Sequence, residues 1–111
     1  MKRAASVQAA YDAARRRILR SWPSVDDYIR ATKFIDGSIC FEPNPFPYRG
    51  WGRRHWILWS LRPLKSAEIE KVLEGSPPHR IQINKRAEQS VPGVWHAHVF
   101  FTRLHATHGP E

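Results

Sequence analysis

The chain has 111 residues, 41% of them hydrophobic and 25% charged, which is typical of a single globular domain. Its 18 lysines and arginines exceed its 10 acids, and the resulting net charge of +8 favours polyanionic partners such as nucleic acid, a ribonucleoprotein or an acidic membrane surface. The single cysteine, Cys40, excludes an internal disulfide and a cysteine-based zinc finger.

The sequence predicts neither a membrane span nor a secretory signal. No apolar run approaches the roughly 18–20 residues of a span, and the N-terminus lacks the apolar block of a signal peptide. Together with the single cysteine, this favours an intracellular, reducing compartment, either cytoplasmic or nuclear. A mitochondrial location is the alternative, because the Arg- and Ala-rich N-terminus resembles a transit segment, although an ordinary basic amphipathic helix explains the same pattern.

A first helix is predicted over about Ala4 to Ser21. Its apolar side chains recur at helical spacing and form one stripe: Val7, Tyr11, Ala14, Ile18 and Trp22. The first 22 residues hold six basic residues against one acid, so much of the excess charge lies on this helix. Four of its arginines are predicted to contact nucleic acid: Arg15, Arg16, Arg17 and Arg20. A favourable interaction of these arginines with the helix dipole is the alternative explanation.

A short second helix is predicted over Val25 to Thr32. Pro23 interrupts the first pattern, and Ser24 is a suitable N-cap with an acid, Asp27, three residues later. A strand or a hairpin around Asp36-Gly37 is expected in residues 34–41.

A loop is predicted from Glu42 to Arg54, because three prolines and two glycines occur within it. The loop is also rich in aromatic residues, and we expect Tyr48 and Trp51 to form the walls of a pocket. Arg53 and Arg54 follow them and could bind a phosphate in a bidentate manner, with solvated loop arginines as the alternative.

The C-terminal half has a β-α-β-β pattern. We expect a strand at His55–Leu61, a helix at Ser66–Glu74, a half-exposed strand at His79–Asn84 and a last strand at Trp95–Phe101. Large aromatic residues on these strands are predicted to lie in the core rather than to stack on bases: Trp56, Trp59, Trp95 and Phe100. The predicted fold is therefore α+β, with a mainly antiparallel sheet covered by helices. We expect one domain with a helical arm at 1–33, a core at 34–104 and a frayed tail at 105–111.

Two histidines on the last strand are the most distinctive feature of the sequence. At positions i and i+2, His96 and His98 share one face of the strand, whereas Ala97, Val99 and Phe101 point to the other face. With His55 on a neighbouring strand they form a predicted metal and catalytic set, holding zinc or manganese that would activate water or polarise a phosphoryl oxygen. Such an enzyme would be a phosphodiesterase or hydrolase. Structural histidines bound by hydrogen bonds are the alternative.

The His-hydrophobic-His motif, preceded by strand, helix and strand, is similar to the metal-binding motif of HUH endonucleases. Those enzymes also need a tyrosine nucleophile, usually on a later helix, and no tyrosine follows His98 in this chain. Tyr28 with Lys33 lies upstream, an order nearer the relaxases. HUH-like nicking is therefore a third interpretation of the histidine strand.

A broader resemblance covers about Asn44 to Phe101. Four short motifs follow one another here: Asn44-Pro45-Phe46-Pro47-Tyr48, His55-Trp56-Ile57-Leu58-Trp59, Ile83-Asn84 and His96-Ala97-His98-Val99. In order and spacing they resemble domain-of-unknown-function family 3605, which occurs in fungi, protists and large DNA viruses. The resemblance implies no activity, but it groups five residues into one candidate site: Asn44, His55, Asn84, His96 and His98.

Two functions of different class follow from the sequence. The first is a His/Asn site that binds or acts on a phosphate-containing or nucleic-acid ligand. In that site Asn44, Tyr48 and Asn84 would orient the ligand, and Arg53 and Arg54 would take the anion. The second is a non-catalytic basic subunit of a larger assembly, such as a ribonucleoprotein, an organellar complex or a virion, in which the first helix makes the contacts and the histidines are structural.

Overall fold

The structure, a computed structural model, describes residues 2–86 and 89–102. Its elements in chain order are α1 (Ala5–Ser21), α2 (Val25–Thr32), β1 (Ile39–Pro43), a 3-10 turn (Gly52–Arg54), β2 (His55–Ser60), α3 (Ser66–Val72), β3 (His79–Gln82) and β4 (Trp95–Phe101). The strands form one antiparallel sheet in the order β1-β2-β4-β3. The predicted α+β class is confirmed, with two N-terminal helices, the edge strand β1 and then the predicted β-α-β-β unit. The predicted tail at 105–111 lies outside the described residues.

Local sequence accounts for the helix boundaries. The Ser24 side chain accepts a hydrogen bond of 3.0 Å from the backbone N–H of Asp27, so Ser24 caps α2 as predicted. The α3 helix is two residues shorter than predicted, and Gly75 follows it with φ 80°. That left-handed conformation is easily adopted only by a residue without a Cβ, which explains why the helix ends before this position.

Three boundaries of the predicted strands are wrong, and the smallest difference is at the end of β2, which is Ser60 instead of Leu61. Glu42 and Pro43 belong to β1 rather than to the loop, because they pair with Ile57 and Trp56 of β2. Pro43 is tolerated there because β1 lies at the edge of the sheet, where a missing N–H leaves no partner strand unsatisfied. The strand β3 ends at Gln82 instead of Asn84, so Asn84 lies in the segment after the strand.

The two faces of the sheet pack differently. On one face, Leu58, Ala97, Val99 and Phe101 join apolar side chains from α3 and the segment before it to form a dry core. The opposite face carries Ile57, Trp59, His96 and His98 and lies towards α1 and α2. The predicted separation of the two histidines from Ala97, Val99 and Phe101 is therefore correct.

The helix α1 is not packed tightly against this second face. None of its residues is buried, and the members of its apolar stripe are only half-buried. Tyr11, Ala14 and Ile18 of that stripe line a cavity, and Ile18 also packs against the core cluster between α2 and the sheet. None of the helices in the described part of the chain combines the length and the hydropathy that crossing a membrane requires.

Candidate ligand-binding site

A cavity of about 480 Å³ lies between α1, α2 and the second face of the sheet. Protein interiors are close-packed and hold few voids larger than a water molecule, whereas small-molecule sites span roughly 300–1,000 Å³. A space of this size is therefore typical of a binding site rather than of a packing defect. Apolar and aromatic side chains make up most of its walls, with a substantial polar part that includes three arginines, two asparagines and two histidines.

Trp59 and His96 lie opposite each other on β2 and β4 and line the floor of the cavity. Their ring centroids are 4.9 Å apart, and both side chains are buried. The indole N–H of Trp59 has no hydrogen-bond partner, which is true of no other buried side-chain nitrogen or oxygen among residues 2–86 and 89–102. Since native proteins leave few such groups unpaired, this donor requires an explanation.

The protonation of the His96 ring follows from its single hydrogen bond. The ring nitrogen Nδ1 lies 2.9 Å from the carbonyl oxygen of Val94, and a carbonyl can only accept. The proton of the neutral ring is therefore on Nδ1, and Nε2 retains its lone pair. Burial lowers the pKa of His96, which favours this neutral form at neutral pH.

A hydrogen-bond circuit connects Tyr48, His55 and His98. The backbone N–H of Tyr48 donates to His55 Nδ1 at 3.0 Å, which places the His55 proton on Nε2. That proton is donated to His98 Nδ1 at 2.8 Å, and His98 Nε2–H in turn points to the hydroxyl oxygen of Tyr48 at 3.5 Å, the longest link. The circuit thus begins at the backbone of Tyr48 and returns to its side chain.

Both histidines of the circuit are held in the neutral form. Burial, followed by the positive charge of Arg3, lowers the pKa of His55 to about 4. Burial also lowers the pKa of His98, to about 3, with further contributions from His55, His96 and Arg3. Neutral imidazoles are what the circuit needs, because each ring donates once and accepts once.

These hydrogen bonds do not fit the predicted metal set. A metal ion would need the lone pair of His55 Nε2, yet the Tyr48 N–H occupies Nδ1 and leaves the ring proton on Nε2. The 2.8 Å between His55 Nε2 and His98 Nδ1 is also shorter than the about 3.3 Å that separates two nitrogens bound to a tetrahedral zinc ion. No group of three or more His, Cys, Asp or Glu side chains in the described part of the chain could hold a metal ion.

The two predicted asparagines lie beside the circuit. Asn44 Nδ2 is 3.3 Å from His55 Nε2, while its Oδ1 accepts the backbone N–H of Phe46 at 2.8 Å. Asn84 Nδ2 lies 3.3 Å from both the Tyr48 hydroxyl and His98 Nε2. The structure therefore brings Asn44, His55, Asn84 and His98 together, and Asn84 joins the circuit by donating to the Tyr48 hydroxyl. Asn44 Nδ2 and His55 Nε2 both carry protons, so these two groups lie side by side without a hydrogen bond between them. His96 is adjacent, with its ring centroid 5.7 Å from that of His98.

Arg3 is the cationic residue that is most firmly held at the cavity. Its Nε donates a 2.9 Å hydrogen bond to the carbonyl oxygen of Phe46, and its guanidinium carbon lies 4.1 Å from the ring centroid of Tyr11. Arg15 and Arg17 also line the cavity and are exposed, so they lie at its rim. Arg15 donates a weak hydrogen bond of 3.4 Å to the carbonyl of Ser90.

Several predicted contacts lie elsewhere. Arg53 and Arg54 do not line the cavity, and Arg54 donates to the carbonyl oxygens of Gly50 and Thr102. Of the two predicted pocket walls, Tyr48 lines the cavity, whereas Trp51 packs on Phe100 with ring centroids 4.9 Å apart. On α1, Arg16 and Arg20 are exposed and outside the cavity lining, unlike Arg15 and Arg17.

Sequence reasoning missed the place of Arg3 at the cavity and the unpartnered N–H of Trp59. Arg3 contacts Phe46, 43 positions further along the chain, and no local pattern marks that contact. Trp59 is buried as predicted, but only the three-dimensional structure shows that its N–H has no partner. The sequence signal that could have located the cavity was the apolar stripe of α1, since it indicates which face of the helix turns towards the sheet.

The fold occurs in a solved structure, but the comparisons show no family. The chain is similar to the crystal structure of a protein called HTC1, with a TM-score of 0.63 and 20% sequence identity, over 92% of this chain and 76% of that chain. At this identity the likeness concerns the fold alone. No family model matches the chain, and a search of curated proteins finds no match. Membership of family 3605 therefore stays a prediction.

Proposed function

We propose that this protein binds one small organic anion in the cavity between α1, α2 and the sheet. The observation that carries the proposal is the unbalanced positive charge at the cavity. Arg3, Arg15 and Arg17 line it, and no carboxylate within 2–86 and 89–102 forms an ion pair with any of the three. Glu42, the acid in the lining, is already paired with Lys33 at 2.9 Å.

Arg3 is the best anchor for the anionic group of such a ligand. Its Nε–H is engaged with Phe46, and its contact with Tyr11 fixes the plane of the guanidinium. The two terminal nitrogens remain to donate in parallel, an arrangement that matches the oxygen spacing of a carboxylate or a phosphate. Because the side chain is already ordered, little entropy is lost when the anion binds.

The apolar walls select the rest of the ligand. Tyr11 and Ile18 of α1 line the cavity together with Ile57 and Trp59 of the sheet, and these walls suit a flat or branched apolar body. A volume of about 480 Å³ admits one such molecule and no polymer, so any phosphate-containing ligand of this site would be of nucleotide size or smaller. Binding rather than turnover is proposed, because His55 and His98 direct ring nitrogens at each other.

A matched pair of probes tests the proposal. 2-Naphthoate carries an aromatic body and a carboxylate, whereas 2-naphthol has the same body without the anion at neutral pH. By calorimetric titration, we expect 2-naphthoate to bind and 2-naphthol to bind at least tenfold more weakly, since a charge-assisted hydrogen bond contributes roughly 1.5–3 kcal/mol. Arg3→Gln should reduce the affinity for 2-naphthoate to that of 2-naphthol.

Two variants complete this experiment. Ala14→Phe places a ring in the cavity from α1 and should abolish binding while the protein stays folded. Arg16→Gln removes one positive charge, as Arg3→Gln does, but Arg16 lies on the part of α1 outside the cavity. This variant should leave the affinity for 2-naphthoate unchanged. If no naphthoate binds, or if Arg3→Gln and Ala14→Phe bind it as the wild type does, the proposal is wrong.

A second candidate function is supported by the outer face of α1. Arg16 and Arg20 are exposed there without an ion-pair partner among the described residues, and they remain accessible to nucleic acid or to an assembly when the cavity is filled. If this face binds nucleic acid, affinity should fall steeply with salt, and Arg16→Gln with Arg20→Gln should flatten that dependence. Arg15→Gln with Arg17→Gln, at the cavity rim, is the matched control of equal charge.

A further inference from the structure

We propose that the anionic group recognised in the cavity is a phosphate monoester, with Arg3, Asn44 and the Tyr48 hydroxyl donating to its oxygens. This inference rests on the proposed binding of an organic anion and names the chemical class of that anion. It is carried by a surplus of hydrogen-bond donors where the circuit meets the cavity, since Asn44, Tyr48 and Asn84 all belong to the cavity lining. The N–H of Trp59 takes no part in this recognition, because its nitrogen is buried.

The Tyr48 hydroxyl is left with only its proton to offer. Its oxygen accepts the Asn84 amide at 3.3 Å, and His98 Nε2–H points to the same oxygen at 3.5 Å. These two donors occupy the accepting positions of the phenol oxygen, and no acceptor for its own proton is found among residues 2–86 and 89–102. The circuit therefore leaves the Tyr48 hydroxyl as a donor for an acceptor in the cavity.

Asn44 supplies a second donor. Its Oδ1 accepts the backbone N–H of Phe46 at 2.8 Å, which sets the orientation of the amide and leaves Nδ2 to donate. The nitrogen that Nδ2 approaches, His55 Nε2 at 3.3 Å, carries a proton itself and cannot accept. Both amide hydrogens of Asn44 thus lack an acceptor in the described part of the chain, although the side chain is half-buried.

Arg3 lies beside both of these donors. Its Nε donates to the carbonyl oxygen of Phe46, the residue whose N–H holds Asn44, so one residue of the loop fixes both side chains. Its guanidinium carbon is 5.5 Å from the ring centroid of Tyr48. A single anion can therefore contact Arg3, Asn44 and Tyr48 together.

A phosphate uses these donors more fully than a carboxylate does. The two oxygens of a carboxylate pair with the two parallel N–H groups of Arg3, and they lie in the plane of the guanidinium. A phosphate monoester has a third terminal oxygen outside that plane, which can accept from Tyr48 or Asn44. Its second negative charge also suits a lining with three arginines, in which the acid Glu42 is already engaged in an ion pair.

Three ligands with the same naphthalene body test this assignment by calorimetric titration at pH 7. 2-Naphthyl phosphate is mostly dianionic there, since the second pKa of a phosphate monoester is about 6. 2-Naphthyl sulfate has the same shape with a single charge, and 2-naphthoate has a single charge and only two oxygens. We expect the phosphate to bind at least about tenfold more tightly than either monoanion. Equal or tighter binding of the sulfate or the carboxylate would overturn the proposal.

Two variants separate these hydrogen bonds from simple attraction between charges. Tyr48→Phe removes the hydroxyl, and Asn44→Ser removes the amide but keeps an oxygen that can accept the Phe46 N–H. In each variant the ratio of the phosphate affinity to the carboxylate affinity should fall by about threefold or more. Arg16→Gln, outside the cavity, should keep the wild-type ratio. If the ratio also stays unchanged in both site variants, charge alone sets the preference and the proposal is wrong.

A measurement on the unaltered protein does not depend on how these variants fold. The chain has two asparagines, Asn44 and Asn84, so labelling with ¹⁵N-asparagine marks two side-chain amides for NMR. The amide signal that Asn44→Ser removes should shift downfield in the wild type when 2-naphthyl phosphate is added, because its N–H begins to donate to an anion. An unshifted signal would overturn the phosphate assignment. If 2-naphthoate binds and loses affinity in Arg3→Gln while the phosphate shows no preference, the proposed function stands and only this inference fails.

Discussion

On acidification, this protein should unfold at a higher pH than its net charge alone would suggest, because His55 and His98 are buried in the neutral form. Their pKa values are lowered from 6.5 to about 4 and about 3 in the folded protein. The unfolded chain therefore binds more protons than the folded chain below pH 6.5, and the free energy of unfolding falls as the pH falls. The decline ends only below the folded-state pKa values.

The size of the effect follows from these shifts. Each unit of pKa difference corresponds to about 1.4 kcal/mol, so each histidine should remove about 2 kcal/mol of stability between pH 7 and pH 5. The pair should thus remove about 4 kcal/mol, a large part of the roughly 5–15 kcal/mol that stabilises an ordinary domain. His96, whose pKa is also lowered, adds to the loss in the same direction.

Urea unfolding followed by tryptophan fluorescence, at constant ionic strength and at pH 7 and pH 5, measures this loss directly. His98→Asn removes one of the two groups, so about half of the pH dependence should disappear even though the variant is less stable at pH 7. Val99→Ala is the matched control, since it removes buried volume on the opposite face without removing a titrating group. It should be destabilised and keep the full pH dependence. A loss below about 1 kcal/mol in the wild type, or an unaltered slope in His98→Asn, would refute the assignment of neutral buried histidines.

Two further predictions concern α2 and the histidine pair. Gly93→Ala should destabilise the protein by no more than about 1 kcal/mol, because the added Cβ would meet only the end of the Asp26 side chain, which can turn away. Adding Asp26→Ala should remove this small loss, and strictly additive effects in a double-mutant cycle would show that the two sites do not touch. Zinc in excess should leave the melting temperature unchanged at pH 7, since the backbone N–H of Tyr48 keeps the His55 proton on Nε2; a zinc-dependent rise that His55→Gln removes would contradict that tautomer.

Most of the fold was predictable because it depends on local patterns. The α2 helix, for example, has the predicted bounds, since Ser24 and the acids after it define its start through contacts three residues apart. The faces of β4 were equally predictable, because a strand alternates its side chains whatever it pairs with. The end of β1 was not predictable, because a proline such as Pro43 indicates a loop unless the strand is known to lie at the edge of the sheet.

The site could be predicted only in part. The order of short motifs grouped Asn44, His55, Asn84, His96 and His98; the structure brings four of them into contact and places His96 beside them. Their chemistry was not predictable, because the spacing of histidines does not reveal which ring nitrogen carries the proton. The position of the proton on His55 depends on the backbone N–H of Tyr48 in the loop. The tautomer of His55 in turn decides whether His55 and His98 form a hydrogen-bonded pair or a metal site.

The circuit through Tyr48 has a consequence for the order in which the protein folds. It joins the proline-rich loop to β4 across 50 positions of the chain, so the Tyr48 hydroxyl gains His98 only after the last strand has entered the sheet, whereas the Tyr48 N–H meets His55 of β2 seven positions away. Once formed, the Tyr48 N–H should exchange with solvent deuterium as slowly as the amides of the central strands, although most loop amides exchange rapidly. The loop would then open with the sheet as one cooperative unit.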